Sequence, residues 1–521
     1  MPLLPWHNPL VIAGVRRRLR PKAAVTVAVI TAVISFFVYG IVYLVATERE
    51  ITSSVIAARW AFTPIYYMQL FFLLFLGTGA IASGVAENRL EGHMDYQRMT
   101  PMSPADKTIG YLLGLSIREH FMFAVTLPFA LYAVVAGEMP FLEVLEMYLF
   151  LFLTVTLYHL TGFVAGLLAK NPRRAGMTAR FIIIVLYFVL PGIGKLGGAS
   201  LFGHFTADTA LQTLLGPELA MASPQSEMFF GIPVPLLLIT LCVQSMFIFV
   251  LFTATTRKWR NERLHAISKP MATLLFGTLL VLIVGSLWSQ VGHEIAFLDM
   301  ETEGENSAVA ASTIMVFSMF FLFSFGMCAF LCMSTTPDKA NAIKGARRAA
   351  RNNKRLHFTS DEASSQWLVV FYAMFTGIAL IGLFEIGSES FSSSAVGAES
   401  LLLPWFIFAS VLAWWQGLRE LLEPRLFWLS IGVLWVVPIM ASIVVVAAWD
   451  SVEAASYLSL TTGFPATAIS LTQTFADAFS LDPSEVEELQ LPSTFVVYLS
   501  AFINGALALA VSVTLWRRRQ S

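Results

Sequence analysis

The sequence predicts an all-α polytopic membrane helix bundle of about twelve spans, and three observations carry that expectation. First, 57% of the 521 residues are hydrophobic and only 13% are charged, a balance that a water-soluble core of this size does not show. Second, apolar runs of about 20 residues recur along nearly the whole chain, each long enough to cross a hydrocarbon core about 30 Å thick as a helix. Third, these runs are continuous and lack the polar/apolar alternation of a membrane barrel, which leaves helices as the spanning element.

The spans are expected at residues 23–46, 62–84, 110–136, 141–168, 179–197, 232–256, 271–291, 309–333, 366–387, 401–417, 426–449 and 494–516. The run after the N-terminal "RRRLRPK" is too long for a signal-peptide core and has no clear small-residue cleavage site, so it reads as an uncleaved first span. The connections alternate in charge. "RRRLRPK", "AKNPRR", "RKWRNER", "KGARRAARNNKR" and the terminal "WRRRQ" are basic, whereas "GHEIAFLDMETEGE", "GSES" and "SLDPSEVEELQ" are acidic or neutral. The bias of Lys and Arg toward the cytoplasm puts both termini there, in the inner membrane of the cell, and an even span count agrees. Cys242, Cys328 and Cys332 all fall in apolar runs with no CxxC pair, so they read as small packing residues and not as a disulfide or zinc framework.

Connection lengths in the first six spans recur in order in the second six, which predicts two related halves, residues 1–260 and 261–521. The long outer segments share a Gly-then-Pro cadence, "LLGPELAMAS" at 214–223 and "TTGFPATAIS" at 461–470, and are expected to form short helices at the outer leaflet.

The most informative stretch is "AENRLEGHMDYQRMTPMSPADK", residues 86–107, a cytoplasmic connection between the second and third spans. Glu87, Glu91 and Asp95 recur at four-residue spacing beside an apolar strip of Leu90 and Met94, which predicts a short, weakly amphipathic helix. Thr100 and Pro101 stop it, and Ser103, Pro104 and Asp106 are an N-cap, a first-turn proline and an N3 acid that restart a helix. A helix, break, helix unit on two spans suits the passing of a rigid-body push; a solvated loop with turn residues is the plainer reading.

The string "ENRLEGHMDYQRMTPMSPADKTIGYLLG" resembles the first cytoplasmic loop of ABC-type export permeases, the transmembrane subunits of ABC transporters of the multidrug, polysaccharide and antibiotic exporter type. The resemblance implies a coupling helix holding Glu87, Arg89, Glu91 and Gly92, followed by a turn of Thr100, Pro101, Ser103 and Pro104. "NPLVIAGVRRRLRPKAAV" is similar to the Asn-Pro start and basic amphipathic leading helix of some such permeases, with Asn8, Pro9, Arg16, Arg17, Arg18 and Arg20 at the matching places. It implies a separate cytoplasmic ATPase subunit as partner, with ATP and Mg bound there and no cofactor on this chain. Family members commonly have six spans and pair, so twelve leave a homodimer and a single-chain pseudo-dimer both open.

The chain lacks a GxxxxGK[ST] phosphate loop; "PGIGKLGG" at 191–198 misses both the upstream glycine and the following Ser/Thr, so this is not a nucleotide-hydrolysing enzyme by that motif. A twelve-span secondary transporter is the alternative, and it needs buried carboxylates near the midplane. Glu385 and Asp450 instead fall at outer span ends, and the loop between the second and third spans lacks a "GxxxDRxGRR" pattern. A membrane enzyme is the third class. Arg118, Glu119 and His120 are consecutive and point around a helix, favouring an interfacial position over an ionisable cluster on a pathway, and "HEIAF" has no second histidine for zinc. The basic run "KGARRAARNNKR" at 344–355 reads as a topogenic charge run touching anionic lipid, with no Pro-bounded helix and no pointer to nucleic acid. The spans show no charged binding ring, which leans toward a hydrophobic or amphiphilic cargo.

Overall fold

The computed structural model describes residues 5–48, 53–192, 200–215, 226–262, 264–291, 305–337, 339–353, 356–388, 397–449, 452–479 and 494–520. It is an all-α polytopic bundle with 12 helices long and apolar enough to cross a membrane. These are Pro21–Thr47, Ser54–Leu90, Ile117–Ala136, Phe141–Leu168, Pro172–Gly192, Leu236–Arg260, Lys269–Leu287, Val309–Thr335, Gln366–Gly387, Ala398–Leu421, Pro424–Val445 and Thr494–Arg517, spans one to twelve below. The protein is a multi-pass membrane protein. Contacts divide it into two compact units, the first holding spans one to six and ending at Ala266, the second holding Met228–Ile232 and, from Ile267, spans seven to twelve.

In the first unit, span two is the axis. Its 37 residues make a helix about 55 Å long at 1.5 Å per residue, well beyond a hydrocarbon core about 30 Å thick. Ser53 caps its start, accepting from Ile56 N at 3.4 Å, and a π-helical segment, Phe71–Gly77, interrupts it. Within that segment, His159 Nε2 of span four donates to Leu73 O at 2.9 Å, giving a buried polar partner to a backbone group in apolar surroundings. Span four carries Gly162 and Gly166 four residues apart; a Cβ at the first would meet Thr78 Cγ2 at 2.6 Å and at the second Ala82 O at 2.6 Å. These glycines let spans two and four touch backbone to backbone. Span five packs on the same region through Ala82, Ala86, Ala175 and Ala179, all buried together beside Ala165 and Ala169 at the end of span four.

In the second unit, span eight packs on spans seven, nine and ten, and span ten packs on span twelve. Aromatic volume dominates here. Phe325, Trp415, Phe427 and Trp435 form one cluster, with the Phe325 and Trp435 rings stacked at 5.0 Å and Trp415 edge-on to Trp435 at 5.0 Å. Cys328 and Cys332 are fully buried in span eight, in keeping with packing residues.

Several sequence expectations change. The third span begins at Ile117 and not at 110, because Ser116 breaks the helix at φ −106° and the preceding helix, Pro104–Leu115, turns aside to pack on Pro9–Arg18. Residues 232–235, expected in the sixth span, form a strand paired with Ser226–Phe229 through a turn in which Phe230 and Gly231 have φ of 51° and 73°. The segment at 461–470, expected to form a short helix, opens the helix Phe464–Ala478, whose Leu471, Phe475 and Ala478 are buried against spans eight, ten and twelve. Most of its counterpart, 214–223, lies outside the described residues. The basic loop of the second unit does contain a helix, Lys339–Arg351, since the run KANAIKGARRAAR is rich in strong helix formers.

Candidate functional site

The polar connection after span two and the helix that precedes span one form a single assembly in the first unit. Asn8 caps that leading helix, Pro9–Arg18: its Oδ1 accepts from Leu10 N at 3.0 Å. Its Nδ2 donates to Asp106 O at 2.7 Å in a buried contact, tying the leading helix to the start of Pro104–Leu115. The two helices cross where side chains vanish. A Cβ at Gly110 would meet Asn8 Oδ1 at 2.7 Å, and one at Gly114 would meet Leu10 O at 2.7 Å. Arg16, Arg17 and Arg18 occupy the last turn, where a cation suits the helix dipole, and Arg20 follows it.

Glu87 and Arg89 do not sit in a separate coupling helix. They lie in the last turn of span two, and the break comes at Gly92, whose φ of 74° is left-handed and open to glycine at little cost. The separate helix is His93–Arg98, shorter than the sequence pattern suggested. Glu87 pairs with Arg17 at 3.5 Å on the surface, and Glu91 with His93 at 3.3 Å. Arg89 turns inward: it donates to Leu167 O and to Ala169 O at the end of span four, and pairs with Glu262 at 3.2 Å.

Arg98 meets the same Glu262 at 3.2 Å, pairs with Asp95, and donates to Lys258 O at 3.4 Å. Glu262 thus joins both sides of the Gly92 break to the C-terminal end of span six. Thr100 Oγ1 donates to Gln97 O at 2.7 Å, closing the helix ahead of Pro101. Ser103 then caps the next helix as expected, accepting from Asp106 N at 3.0 Å with Pro104 at N1. Lys107 underpins the turn, donating to Arg98 O at 3.4 Å and Thr100 O at 3.2 Å while its ammonium lies 6.0 Å from the centre of the Trp259 ring. Withdrawal from solvent pulls the Lys107 pKa down.

This anchored turn presents apolar side chains outward. Leu90, Tyr96 and Met99 are exposed by 53%, 69% and 78%.

Arg118, Glu119 and His120 open the third span in different surroundings. Glu119 is fully buried, held by Arg118 at 2.9 Å and by Arg18 at 3.7 Å. His120 Nδ1 donates to Ser116 O at 2.9 Å, and its ring lies 5.7 Å from that of His159. Burial lowers the Arg18 pKa, with Arg118 and Arg17 adding to the effect and Glu119 and Glu87 opposing it.

Three groups escaped the sequence reading. Glu262 was masked by its basic neighbours in "RKWRNER". Asp208, in the segment after span five, accepts from Tyr187 OH at 2.8 Å and is also hydrogen-bonded by Tyr67. Nearby, buried His204 contacts Thr240 Oγ1 at 2.8 Å and Glu227 Oε2 at 3.0 Å. Tyrosines within an apolar run were the available signal for Asp208, but only the fold brings them to it.

The second unit ties its equivalent connection differently. Lys269, at the start of span seven, is buried with its Nζ among the carbonyls of Ser360 at 2.9 Å, Ala363 at 2.6 Å, Ser364 at 3.2 Å and Phe358 at 3.4 Å. The chain matches no family model, no curated protein and no solved structure.

Proposed function

We propose that this chain is the membrane permease subunit of an ATP-driven ABC exporter in the inner membrane, with both termini in the cytoplasm and a separate ATPase subunit supplying ATP hydrolysis. The observation that supports this reading most is the anchored turn: an exposed apolar face of Leu90, Tyr96 and Met99 on a segment fixed from behind by Arg89, Arg98, Lys107 and Glu262. A surface of this kind transmits a push from a soluble partner to spans two, four and six at once, because its tethers end on all three. ATP and Mg belong to the partner in this reading, and the chain itself is not an enzyme.

A twelve-span secondary transporter is the second reading, favoured by Asp208 with its tyrosine donors in the first unit. One experiment separates them. The full chain is purified from its native membranes with and without Tyr96→Asp plus Met99→Asp, a pair that leaves every tether intact, and vanadate-sensitive ATP hydrolysis is assayed in the eluate. The exporter reading expects hydrolysis with the native chain and loss of more than about 90% with the variant at equal membrane insertion. Equal hydrolysis in both, or none in either, counts against it.

A further inference from the structure

The first unit has a half-open polar pocket of about 390 Å³ lined by Arg18, Leu76, Ala80, Ser83, Arg118 and Arg180. Three guanidinium groups therefore border one space, and the acid paired with this group is Glu119, already engaged by Arg118 at 2.9 Å and by Arg18 at 3.7 Å. Arg180 is left over. Its Nε is shut off from solvent without a hydrogen-bond partner, and its guanidinium lies 5.7 Å from the centre of the Phe75 ring, the one charge-stabilising contact it makes among the described residues. The arrangement is built: a Cβ at Gly79 would meet Arg180 Nε at 2.6 Å, so glycine at that place in span two is what lets the arginine lie across the helix.

A pocket bordered by three cations, with one carboxylate paired to two of them, carries a net charge of about +2, and the Arg180 Nε–H, shut off from solvent, is an unmet donor until an acceptor enters. Guanidinium forks match the oxygens of phosphate with paired hydrogen bonds, and a phosphate monoester carries a charge of up to −2 that balances the set. The volume also falls in the range of small-ligand sites, about 300–1,000 Å³. We infer that this cavity is a binding site for a phosphate-bearing anion, with Arg180 as its principal ligand and Arg118 and Arg18 as flanking ones.

The surrounding helix surface points to where such a ligand comes from. Arg180 lies eight residues after Pro172, roughly 12 Å along span five from its start, while Arg118 is in the first turn of span three. Span five also bears an exposed apolar stripe of Met177, Phe181, Ile184 and Phe188 at helical spacing. A phosphate site on a membrane-spanning helix that also bears an exposed apolar strip fits a phospholipid; free phosphate shares the headgroup chemistry. The inference does not depend on how the chain is energised, because its ligands are distinct from the exposed face at Leu90, Tyr96 and Met99.

The test uses the full chain in a nonionic detergent. Binding of phosphatidic acid, of diacylglycerol with the same acyl chains, and of inorganic phosphate is titrated by native mass spectrometry and by the shift in melting temperature. The variants are Arg180→Gln, Arg118→Gln and, as a control exposed on the same helix, Arg173→Gln. Phosphatidic acid is expected to bind the native chain and the control alike and to lose affinity at least about tenfold in Arg180→Gln, with diacylglycerol weak throughout. Inorganic phosphate binding that also falls in Arg180→Gln identifies the soluble anion as a second source; phosphatidic acid binding alone identifies the lipid. Arg118→Gln carries the same expectation if Arg180→Gln does not fold. Diacylglycerol binding equal to phosphatidic acid, undiminished binding in both cavity variants, or no binding of either phosphate probe to the native chain overturns the site.

Discussion

The two units hold a second span against a fifth with opposite kinds of side chain. In the first, span two meets span five through Gly79, Ala82, Ala86, Ala175, Gly176 and Ala179, with a Cβ at Gly176 only 3.2 Å from Gly79 O. In the second, span eight meets span eleven through Phe325 and Trp435, stacked at 5.0 Å. The fifth spans begin alike, Asn171-Pro172-Arg173 and Glu423-Pro424-Arg425, and each contains a π-helical segment, Val185–Val189 and Val433 with its neighbours in Gly432–Val436. Eight residues after the proline, however, the first has Arg180 and the second Gly432. Small residues bring backbones together and leave the flank of the seam unfilled, which is where the arginine cavity lies; aromatic rings fill the seam themselves. One span order thus supports a polar site in one unit and a dry aromatic core in the other.

The comparison breaks most readily at Trp415. Buried side chains of this size cost about 3–5 kcal/mol on truncation to alanine, and Trp415 joins spans eight, ten and eleven in one cluster. Trp415→Ala is expected to lower the stability of the second unit by that amount. Cys328 and Cys332, fully buried in span eight, report on it: their labelling by a thiol reagent during a temperature ramp should begin well below the native onset, while labelling of exposed Cys242 in the first unit stays unchanged. If the onset for Cys328 and Cys332 does not move, the aromatic seam is not what holds the second unit.

A smaller effect tests the seams made of glycine. Gly166→Val puts methyl groups where Ala82 O and Val85 Cβ lie 2.6 and 2.8 Å from the first added carbon, an overpacking that costs about 1–3 kcal/mol. Gly326→Val in span eight is the matched control, since a Cβ there meets nothing within 4 Å. Size-exclusion recovery after heating should fall for Gly166→Val and match the native chain for Gly326→Val. Equal losses would mean that close backbone approach is no more demanding in the first unit than in the second.

Much of this was legible in the sequence, and the divide has a physical basis. Spans are written in local hydropathy, so their number and order could be read directly. The cap at Ser103, Pro104 and Asp106 was equally plain, because its hydrogen bonds run between residues three apart. The helix break at Gly92 was not, because Glu87, Glu91 and Asp95 keep one helical period across it and nothing in that pattern demands a left-handed glycine. Arg180 was hidden for a different reason. It sits singly in "GMTARFIIIV", and its companions Arg18 and Arg118 come from distant segments whose meeting depends on where Pro104–Leu115 turns aside.

The smallest expected effect addresses how each unit secures the connection after its second span. The first uses Asn8, one side chain with two tasks, capping the leading helix at Leu10 N and holding Asp106 O; the second uses Lys269, whose ammonium gathers carbonyls of residues 358–364. The tasks of Asn8 can be separated, because serine also caps a helix but lacks the amide that donates to Asp106 O. Asn8→Ser should therefore cost about 0.5–1.5 kcal/mol, the worth of one buried hydrogen bond, with the loss confined to the second task. Amide hydrogen exchange resolves this. Protection in Leu10–Arg18 should persist, while exchange rises at the first turns of Pro104–Leu115, where the carbonyl tether is gone. Asn8→Ala, which removes both contacts, should raise exchange in both helices. Faster exchange in the leading helix alone for Asn8→Ser would show that Asn8 acts as a cap and that the crossing at Gly110 and Gly114 holds the two helices without it.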